Sequence, residues 1–336
     1  MTIPDQMQAI AISRPGGPDV LEPVTIATPK PAPGEVLIAV AAAGVNGPDI
    51  AQRQGNYAPP PDASALPGLE VSGTVVALGE GTRNFALGDA VVALCNGGGY
   101  AQFVAVPAGQ VLPKPRDWSW NQAATLAETF FTLQQTLVER AGLKQGQTVL
   151  IHGGAGGIGA TAIQLCKLFG ATPIATVSSP QKADYARAMG ATHTIDYRNE
   201  DFVERTLTLT ANRGADIVVD IVGGSYAHRN LKSCAYGGHV IVLAVREAAR
   251  AEINLGLMLM KALTLSGSTL RPQSAQTKAR FAQDLYRTVW PAIARGEIIA
   301  PHITPFDLAD AARAHVAMEA GDHYGKIVLD VPGLGT

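Results

Sequence analysis

The residues with the clearest chemical potential lie in one glycine-rich segment, His152-Gly-Gly-Ala-Gly-Gly-Ile-Gly159. Three of these glycines have the GxGxxG spacing that binds a pyrophosphate where a strand turns into a helix. Gly154 permits the tight turn, Gly156 lets phosphates approach a backbone without a Cβ atom, and Gly159 lets the helix pack closely. The N–H groups at the start of such a helix attract an anion. The residues predicted to bind a dinucleotide are Gly154, Ala155, Gly156, Gly157, Ile158 and Gly159.

The end of the next predicted strand indicates which dinucleotide binds. NAD sites usually carry Asp or Glu there, about 20 residues after the glycines, to bind the ribose hydroxyls. This sequence instead has Thr176-Val-Ser-Ser179 followed by Lys182, and the nearest acid downstream is Asp184. Donors at Ser178 and Lys182 would hold a 2′-phosphate that a carboxylate would repel. We therefore predict NADPH as the cofactor; the alternative interpretation of Lys182 is a solvated surface lysine.

The loop lies in a region where short apolar strands alternate with helices. Strands are predicted at 148–152, 173–177, 192–195, 216–221, 239–245 and 263–267. Helices are predicted between them at 158–169, 181–189, 200–209, 226–235 and 255–260. This alternation predicts a doubly wound, mostly parallel sheet, which disfavours the alternative of a glycine-rich turn without a ligand.

The first 125 residues have a different pattern, in which glycine and proline separate short apolar runs. Strands predicted at 36–42, 71–78, 90–94 and 103–106 favour a barrel or a packed pair of sheets. A helix at 277–295 and a strand at 326–331 follow the α/β region and are expected to complete the first domain. The predicted domains are residues 1–127 with 271–336, and an inserted Rossmann domain at 128–270.

Composition excludes several classes of protein. The formal net charge of −2 gives no basic excess for binding nucleic acid. No apolar run approaches the roughly 20 residues that span a bilayer, and the N-terminus lacks the features of a secretion signal, so we expect no membrane association. Three widely separated cysteines without CxxC spacing indicate neither disulfides nor a zinc site and suggest a reducing cytoplasm.

Three segments of the first domain resemble the medium-chain dehydrogenases/reductases. Asn84-Phe-Ala-Leu-Gly-Asp-Ala-Val91 resembles their F-x-x-G-D-x-V turn, and Leu66-Pro-Gly-Leu-Glu-Val-Ser-Gly73 is similar to their P-G-x-E-x-x-G segment. Gly44-Val-Asn-Gly-Pro-Asp49 resembles the quinone oxidoreductase branch. Further segments that narrow the resemblance to the p53-inducible quinone oxidoreductase type are Asn96-Gly-Gly-Gly-Tyr-Ala-Gln102, Glu128-Thr-Phe-Phe-Thr132 and Gly267-Ser-Thr-Leu-Arg-Pro272.

This resemblance implies an α/β protein with a GroES-like barrel-type catalytic domain, a Rossmann domain and an active site in the cleft between them. It also implies a homodimer formed largely through the Rossmann sheets. Zinc-dependent relatives have Cys at the position of Asn46 and His at that of Leu69, and the third ligand is absent from 126–132. The cysteine-rich lobe is also missing between Asp89 and Tyr100. We therefore predict no metal and, without a Lewis acid, reduction of a conjugated acceptor rather than alcohol oxidation.

The resemblance further implies roles for single residues. Asn46 and Thr132 are placed near the nicotinamide ribose, and Tyr197 near the adenosine 2′-phosphate. The residues implied to flank the nicotinamide are Leu243, Ala244, Val245, Ser268, Thr269 and Leu270. Lys326 is expected either to reach the cofactor or to be a surface lysine. The segment Val245-Arg-Glu-Ala248 departs from the family, which usually has glycine there, and puts Arg246 beside the predicted nicotinamide pocket.

Tyr57 is the first candidate for stabilising the negative charge that develops on the substrate oxygen, with a structural tyrosine as the alternative. Asp49 is expected to organise its loop, Glu70 to make a structural hydrogen bond, and His152 to pack at a strand end rather than act as a base. The predicted function is NADPH-dependent reduction of a small-molecule quinone. The alternatives are an enone or alkenal double-bond reductase, and a non-catalytic NADPH-binding protein such as a sensor or a crystallin-like protein.

Overall fold

The computed structural model describes residues 2–61 and 63–332, which fold into two compact units. The first unit contains the residues up to Phe131, Arg271–Ala294 and those from Ala300 onwards. The second contains Thr132–Leu270 and Arg295–Ile299. Their architecture confirms the predicted α/β class, with a mostly antiparallel barrel-type unit and a parallel doubly wound unit. Among the described residues, no helix combines the length and the apolar character needed to cross a bilayer.

A seven-stranded sheet dominates the first unit. The strands of this unit are β1 Gln6–Ile12, β2 Leu21–Ala27, β3 Glu35–Gly44, β4 Glu70–Leu78, β5 Ala90–Leu94, β6 Phe103–Pro107, β7 Val111–Pro113, β14 Ile303–Asp307 and β15 Lys326–Asp330. The order in the sheet is β14-β15-β3-β4-β5-β7, with β6 also paired to β3, and β1 and β2 form a separate hairpin. The helices are α1 Gly47–Arg53, α2 Trp120–Ala123, α3 Ala127–Leu133, α9 Ala275–Ala294 and α10 Ala311–Ala320.

The C-terminal segment completes this sheet. Strand β15 pairs antiparallel with β3, with Val328 opposite Gly44, and β14 pairs parallel with β15. Val36, Ile38 and Val40 of β3 point into the core together with Ile327 and Leu329 of β15. The pairing brings Lys326, at the start of β15, next to Val45 and Asn46, which follow β3.

The second unit contains a six-stranded parallel sheet. Its strands are β8 Thr148–Ile151, β9 Thr172–Val177, β10 His193–Asp196, β11 Ala215–Asp220, β12 Cys234–Val242 and β13 Thr264–Gly267, and they are arranged in the order β10-β9-β8-β11-β12-β13. Its helices are α4 Gly157–Leu168, α5 Pro180–Met189, α6 Phe202–Leu209, α7 Tyr226–Ser233 and α8 Leu255–Lys261, and a π-helical segment covers Gln134–Arg140. This order is the dinucleotide-binding order, in which ligands bind at the carboxyl ends of the strands.

All six predicted strands of this sheet are present, with one shifted. Strand β12 begins at Cys234 and ends at Val242, whereas the apolar pattern predicted 239–245. The strand therefore ends before Leu243, and Leu243, Ala244 and Val245 form the loop that follows it. This difference places the three residues at the ligand-binding edge of the sheet.

Candidate functional site

The glycine loop joins β8 to α4, and its glycines meet different steric demands. The positive φ of 68° occurs at Gly153, so Gly153 rather than Gly154 makes the tight turn. A Cβ on Gly154 would lie 2.5 Å from the Cβ of Ala175, and one on Gly159 would overlap the carbonyl oxygen of Gly153. A Cβ on Gly156 would have no neighbour closer than 3.6 Å. The fold thus requires Gly154 and Gly159 for packing and leaves open space beside Gly156, which fits a pyrophosphate.

Helix α4 starts at this open space without a protein cap. Gly156 is its N-cap residue, no side chain accepts from its first N–H groups, and its first turn contains no acidic residue. The end of a helix attracts an anion through its free N–H groups and its dipole. Gly157, Ile158 and Gly159 form that first turn, which is therefore available to an external phosphate.

His152 lies behind the loop and is fully buried. Its ring nitrogens lie 3.2 Å from Thr176 Oγ1 and 2.7 Å from Asn230 Oδ1. Burial lowers the pKa of the imidazole, so the neutral form dominates. The prediction that His152 packs at the strand end is confirmed.

Strands β9 and β10 bring the predicted 2′-phosphate residues to one edge. The Tyr197 N–H donates to Val177 O at 3.1 Å, so Tyr197 lies beside the position where Ser178 follows β9. Helix α5 begins two residues later, with Ser179 Oγ accepting from the Lys182 N–H at 3.3 Å. Tyr197 is 42% exposed and Ser178 and Lys182 are partly buried, so all three can meet a ligand.

One acidic residue, Asp196, lies beside the three predicted 2′-phosphate residues, but its carboxylate accepts hydrogen bonds within its own turn. Its oxygens accept from the Arg198 N–H at 3.1 Å and from Asn199 Nδ2 at 2.7 Å. Arg246 is close enough to the Tyr197 phenol for the two to interact electrostatically. The place of Arg246 beside the nicotinamide pocket stays a prediction.

The loop that carries Arg246 has this position because its neighbours hold it. The Glu247 N–H donates to Val222 O at 2.9 Å, and Ser225 Oγ donates to the Glu247 carboxylate at 2.9 Å. Gly224 N–H donates to Ala248 O at 2.9 Å. The segment is thus fastened to the turn after β11.

The residues predicted to flank the nicotinamide also lie together. Strands β12 and β13 pair in parallel with Val242 opposite Gly267, so Leu243, Ala244 and Val245 lie beside Ser268, Thr269 and Leu270. The Ser268 hydroxyl is buried and has no hydrogen-bond partner among the described residues. Thr132 is partly buried, and its carbonyl accepts from Thr136 Oγ1 at 2.6 Å. This edge of the parallel sheet fits a dinucleotide. Hydrogen-bond donors for its phosphates lie on one side, and the Ser268 hydroxyl without a hydrogen-bond partner lies on the other.

A buried ion pair organises the first unit. Lys326 Nζ lies 2.7 Å from Glu70 Oε1, with both side chains at most 5% exposed. The same ammonium donates to Asn46 Oδ1 at 2.5 Å and to Val45 O at 3.3 Å, so its three N–H groups all have acceptors. The interpretation of Lys326 as a surface lysine is wrong, and its contact with the cofactor stays a prediction.

Asn46 and Glu70 complete the network around this ion pair. Asn46 Nδ2 donates to Glu70 Oε1 at 2.9 Å, and the other Glu70 oxygen accepts from the Glu128 N–H at 2.9 Å. Asp49 is fully buried and accepts from the N–H groups of Asn46 and Gly68. Glu70 and Asp49 thus have the structural roles expected of them, and burial raises the pKa of Asp49 to about 6.

Tyr57 lies next to Arg271 in the same unit. The Arg271 guanidinium is 5.7 Å from the centre of the Tyr57 ring, and the Arg271 backbone N–H faces the phenol oxygen. Arg271 itself is held by Asn96 O and by Gln52 Oε1 at 2.7 Å. Burial, and secondly the nearby Glu128 carboxyl, raise the pKa of Tyr57 above its ordinary value. Tyr57 is partly buried and keeps its own proton available for donation.

The positions that hold zinc in related enzymes have no ligand set here. Leu69 is apolar and 2% exposed, and the Asn46 amide is committed to Lys326 and Glu70. Within residues 2–61 and 63–332, no group of three or more His, Cys, Asp and Glu side chains is arranged to hold a metal ion.

Comparison with known proteins places both units in one family. Residues 32–116 match the alcohol dehydrogenase GroES-like domain, and residues 157–285 match the domain described as zinc-binding dehydrogenase. A quinone oxidoreductase from Pseudomonas syringae pv. tomato is 32% identical, with 96% of this chain and 99% of that chain covered and a TM-score of 0.85. A mycobacterial protein complexed with NADPH is 31% identical, with coverage of 96% and 99% and a TM-score of 0.84.

The chain is also similar to an enoyl reductase and to a segment of a much longer synthase. CurK enoyl reductase is 27% identical, with 98% of this chain and 100% of that chain covered and a TM-score of 0.86. The phthioceranic/hydroxyphthioceranic acid synthase of Mycobacterium tuberculosis is 32% identical over 97% of this chain. The chain spans about 15% of the length of that synthase.

The parallel sheet and its glycine loop, together with the barrel-type unit, define an oxidoreductase that binds a nicotinamide dinucleotide. The chain belongs to the medium-chain dehydrogenase/reductase family. Sequence reasoning used Glu128 only as part of a motif, although burial, followed by repulsion from Glu70, raises the pKa of its carboxyl to about 8.

Proposed function

We propose that this protein reduces quinones with NADPH and without zinc. The observation that carries the proposal concerns the two positions that hold zinc ligands in zinc-dependent relatives. Here Leu69 is buried and apolar, and the Asn46 side chain is hydrogen-bonded to Lys326. A site without a Lewis acid does little to ionise an alcohol. A conjugated acceptor needs less electrostatic stabilisation from the protein, because the negative charge that develops on its oxygen is delocalised.

NADPH is proposed over NADH because of the donors at the carboxyl ends of β9 and β10. Ser178, Lys182 and Tyr197 would hold the 2′-phosphate, and the nearby acid Asp196 is occupied by its own turn. The glycine loop and the start of α4 would hold the pyrophosphate. When bound, NADPH supplies a hydride. Tyr57 would donate a hydrogen bond to the substrate oxygen as negative charge develops there.

An enone or enoyl double-bond reductase is the second candidate. The similarity to CurK enoyl reductase and to a segment of the phthioceranic/hydroxyphthioceranic acid synthase favours it. Both substrate classes present a conjugated carbonyl, so the same hydrogen-bond donors would serve them.

The proposal also includes a homodimer formed through the second unit. Strand β13 is at one edge of the parallel sheet, and most of its residues are exposed. Helix α8, which precedes β13 in the chain, exposes Leu255, Leu259 and Met260, the last two by 83% and 72%. Unpaired strand edges and exposed apolar side chains are features of subunit interfaces.

The deciding experiment compares three reactions at equal enzyme concentration: NADPH with 1,4-benzoquinone, NADPH with 2-cyclohexen-1-one, and NADP⁺ with a simple alcohol. The proposal expects rapid NADPH oxidation with the quinone and little alcohol oxidation. Faster turnover of the enone would favour the second candidate. NADPH binding with no turnover of either acceptor would indicate the non-catalytic class.

A further inference from the structure

Thr176 places a hydroxyl in the interior of the parallel sheet, close to the glycine loop. The residue lies on β9 and is 1% exposed, and its neighbours Ala175 and Val177 are buried and apolar. Valine has nearly the same shape and suits a buried strand, whereas burying a hydroxyl costs free energy unless it is hydrogen-bonded. The hydroxyl at this position therefore has a role that packing alone does not explain.

Thr176 holds the turn of the glycine loop through two backbone N–H groups. Its Oγ1 accepts from the Gly153 N–H at 3.3 Å, and its carbonyl accepts from the Gly154 N–H at 2.9 Å. The carbonyl of Gly153, the residue with φ of 68°, accepts from the Gly156 N–H at 3.0 Å. Because both peptide groups of Gly153 are hydrogen-bonded, its position decides where Gly156 caps helix α4.

His152 fixes the direction in which the Thr176 hydroxyl points. Burial lowers the pKa of the imidazole, so one ring nitrogen carries a hydrogen and the other accepts. Nε2 lies 2.7 Å from Asn230 Oδ1, which can only accept, so Nε2 carries the hydrogen. Nδ1 therefore accepts from the Thr176 O–H at 3.2 Å, and a lone pair of Oγ1 is left for the Gly153 N–H.

Two helices hold the imidazole in this orientation. The ring meets Phe202 and Tyr226 edge-on, with ring centres 4.8 and 4.9 Å away. Phe202 is the first residue of α6, Tyr226 is the first residue of α7, and Asn230 lies one turn further along α7. The chain of hydrogen bonds from Gly153 to Thr176, His152 and Asn230 is thus fastened to rigid elements.

We propose that Thr176 is a positioning residue for the cofactor pyrophosphate and that His152 holds its hydroxyl in the accepting direction. The inference applies to any nicotinamide dinucleotide and does not depend on which acceptor is reduced. The space beside Gly156 and the first N–H groups of α4 receive the phosphates only while the preceding turn keeps its shape. Without the hydroxyl, the Gly153 N–H loses its acceptor, and a glycine without a Cβ readily takes other conformations.

The test uses full-length Thr176→Val, which removes the hydroxyl and keeps the shape, and Thr176→Ser, which keeps the hydroxyl. Thr172→Val makes the same substitution at the amino end of β9, away from the loop, and is the matched control. Affinities for NADPH and NADH are measured by fluorescence titration, and circular dichroism establishes that each variant is folded at the titration temperature.

Thr176→Val should weaken the binding of both dinucleotides by the same factor, because NADPH and NADH share the pyrophosphate. The expected loss is roughly 3- to 12-fold, which corresponds to one net hydrogen bond. Thr176→Ser and Thr172→Val keep that hydrogen bond and should stay within about twofold of wild type. Wild-type affinities in Thr176→Val, a loss confined to NADPH, or an equal loss in Thr176→Ser would overturn the proposal.

Nitrogen NMR of histidine-labelled wild type gives a second readout, which holds even where Thr176→Val does not fold. The His152 signal, assigned from its loss in His152→Gln, should show a hydrogen on Nε2 and none on Nδ1. A hydrogen on Nδ1 would reverse the hydrogen bond to Thr176 and overturn the proposal. A wild type that binds both dinucleotides and reduces no acceptor would refute the proposed function alone, and one that binds neither would refute both.

Discussion

The buried Lys326–Glu70 ion pair gives the sharpest prediction about the stability of the first unit. Lys326→Met keeps the approximate volume of the side chain and removes its charge. Glu70 is then left fully buried with two remaining donors, Asn46 Nδ2 and the Glu128 N–H. Removing one partner of a buried pair costs about 3–5 kcal/mol because the other charge is left uncompensated. The two surviving hydrogen bonds place the expected loss near the lower end, about 3 kcal/mol.

Urea unfolding followed by tryptophan fluorescence measures this loss of stability in the first unit, which contains the ion pair. All three tryptophans, Trp118, Trp120 and Trp290, belong to the first unit, so their signal reports its unfolding rather than that of the second unit. Lys30→Met, at an exposed lysine, is the control and should change stability by less than about 0.5 kcal/mol.

The double variant Glu70→Gln/Lys326→Met separates charge from shape. It removes both charges and should recover more than half of the stability lost in Lys326→Met, because no uncompensated carboxylate remains. A Lys326→Met loss no larger than that of the control, or a double variant less stable than the single one, would refute this account of the pair.

Three further outcomes are expected. Lys182→Ala should weaken NADPH binding by about 10- to 100-fold and leave NADH binding unchanged, because one charge-assisted hydrogen bond to the 2′-phosphate is worth about 1.5–3 kcal/mol. Fluorescence titration measures the affinity for each dinucleotide, and an equal loss of affinity for NADPH and NADH would contradict this prediction. Purified protein should contain no stoichiometric zinc by elemental analysis and keep its activity in a chelator, since Leu69 cannot act as a ligand. Leu259→Asp should shift a dimer to a monomer in sedimentation analysis, whereas a wild-type monomer would remove the proposed interface.

The sequence was sufficient for the elements whose patterns are local. Strand β11 was predicted because a strand covered on both faces appears as a continuous apolar run, and Ile217, Val218 and Val219 are all fully buried or nearly so. Strand β14 was missed because Ile303-Thr-Pro-Phe-Asp307 contains a proline and acquires its strand conformation from pairing with β15. Strand β1 was missed although its residues partly alternate between buried and exposed.

The site was predictable where a motif fixes the backbone and not where distant residues meet. The glycine loop was found, but the positive φ belongs to Gly153, which the spacing alone did not distinguish from Gly154. A surface position remained an open alternative for Lys326 because its partner Glu70 lies 256 positions away in the chain. The raised pKa of Glu128 likewise depends on burial and then on Glu70 and Asp49, which only the fold brings near it.

The most direct test of the proposed reaction is its stoichiometry. Wild-type protein is mixed with limiting NADPH and excess 1,4-benzoquinone, and NADPH loss is followed by absorbance while hydroquinone is measured by chromatography. The account predicts one hydroquinone formed for each NADPH consumed, with no NADPH loss when the quinone is omitted. NADPH that binds tightly yet is not consumed with the quinone or with 2-cyclohexen-1-one would contradict it.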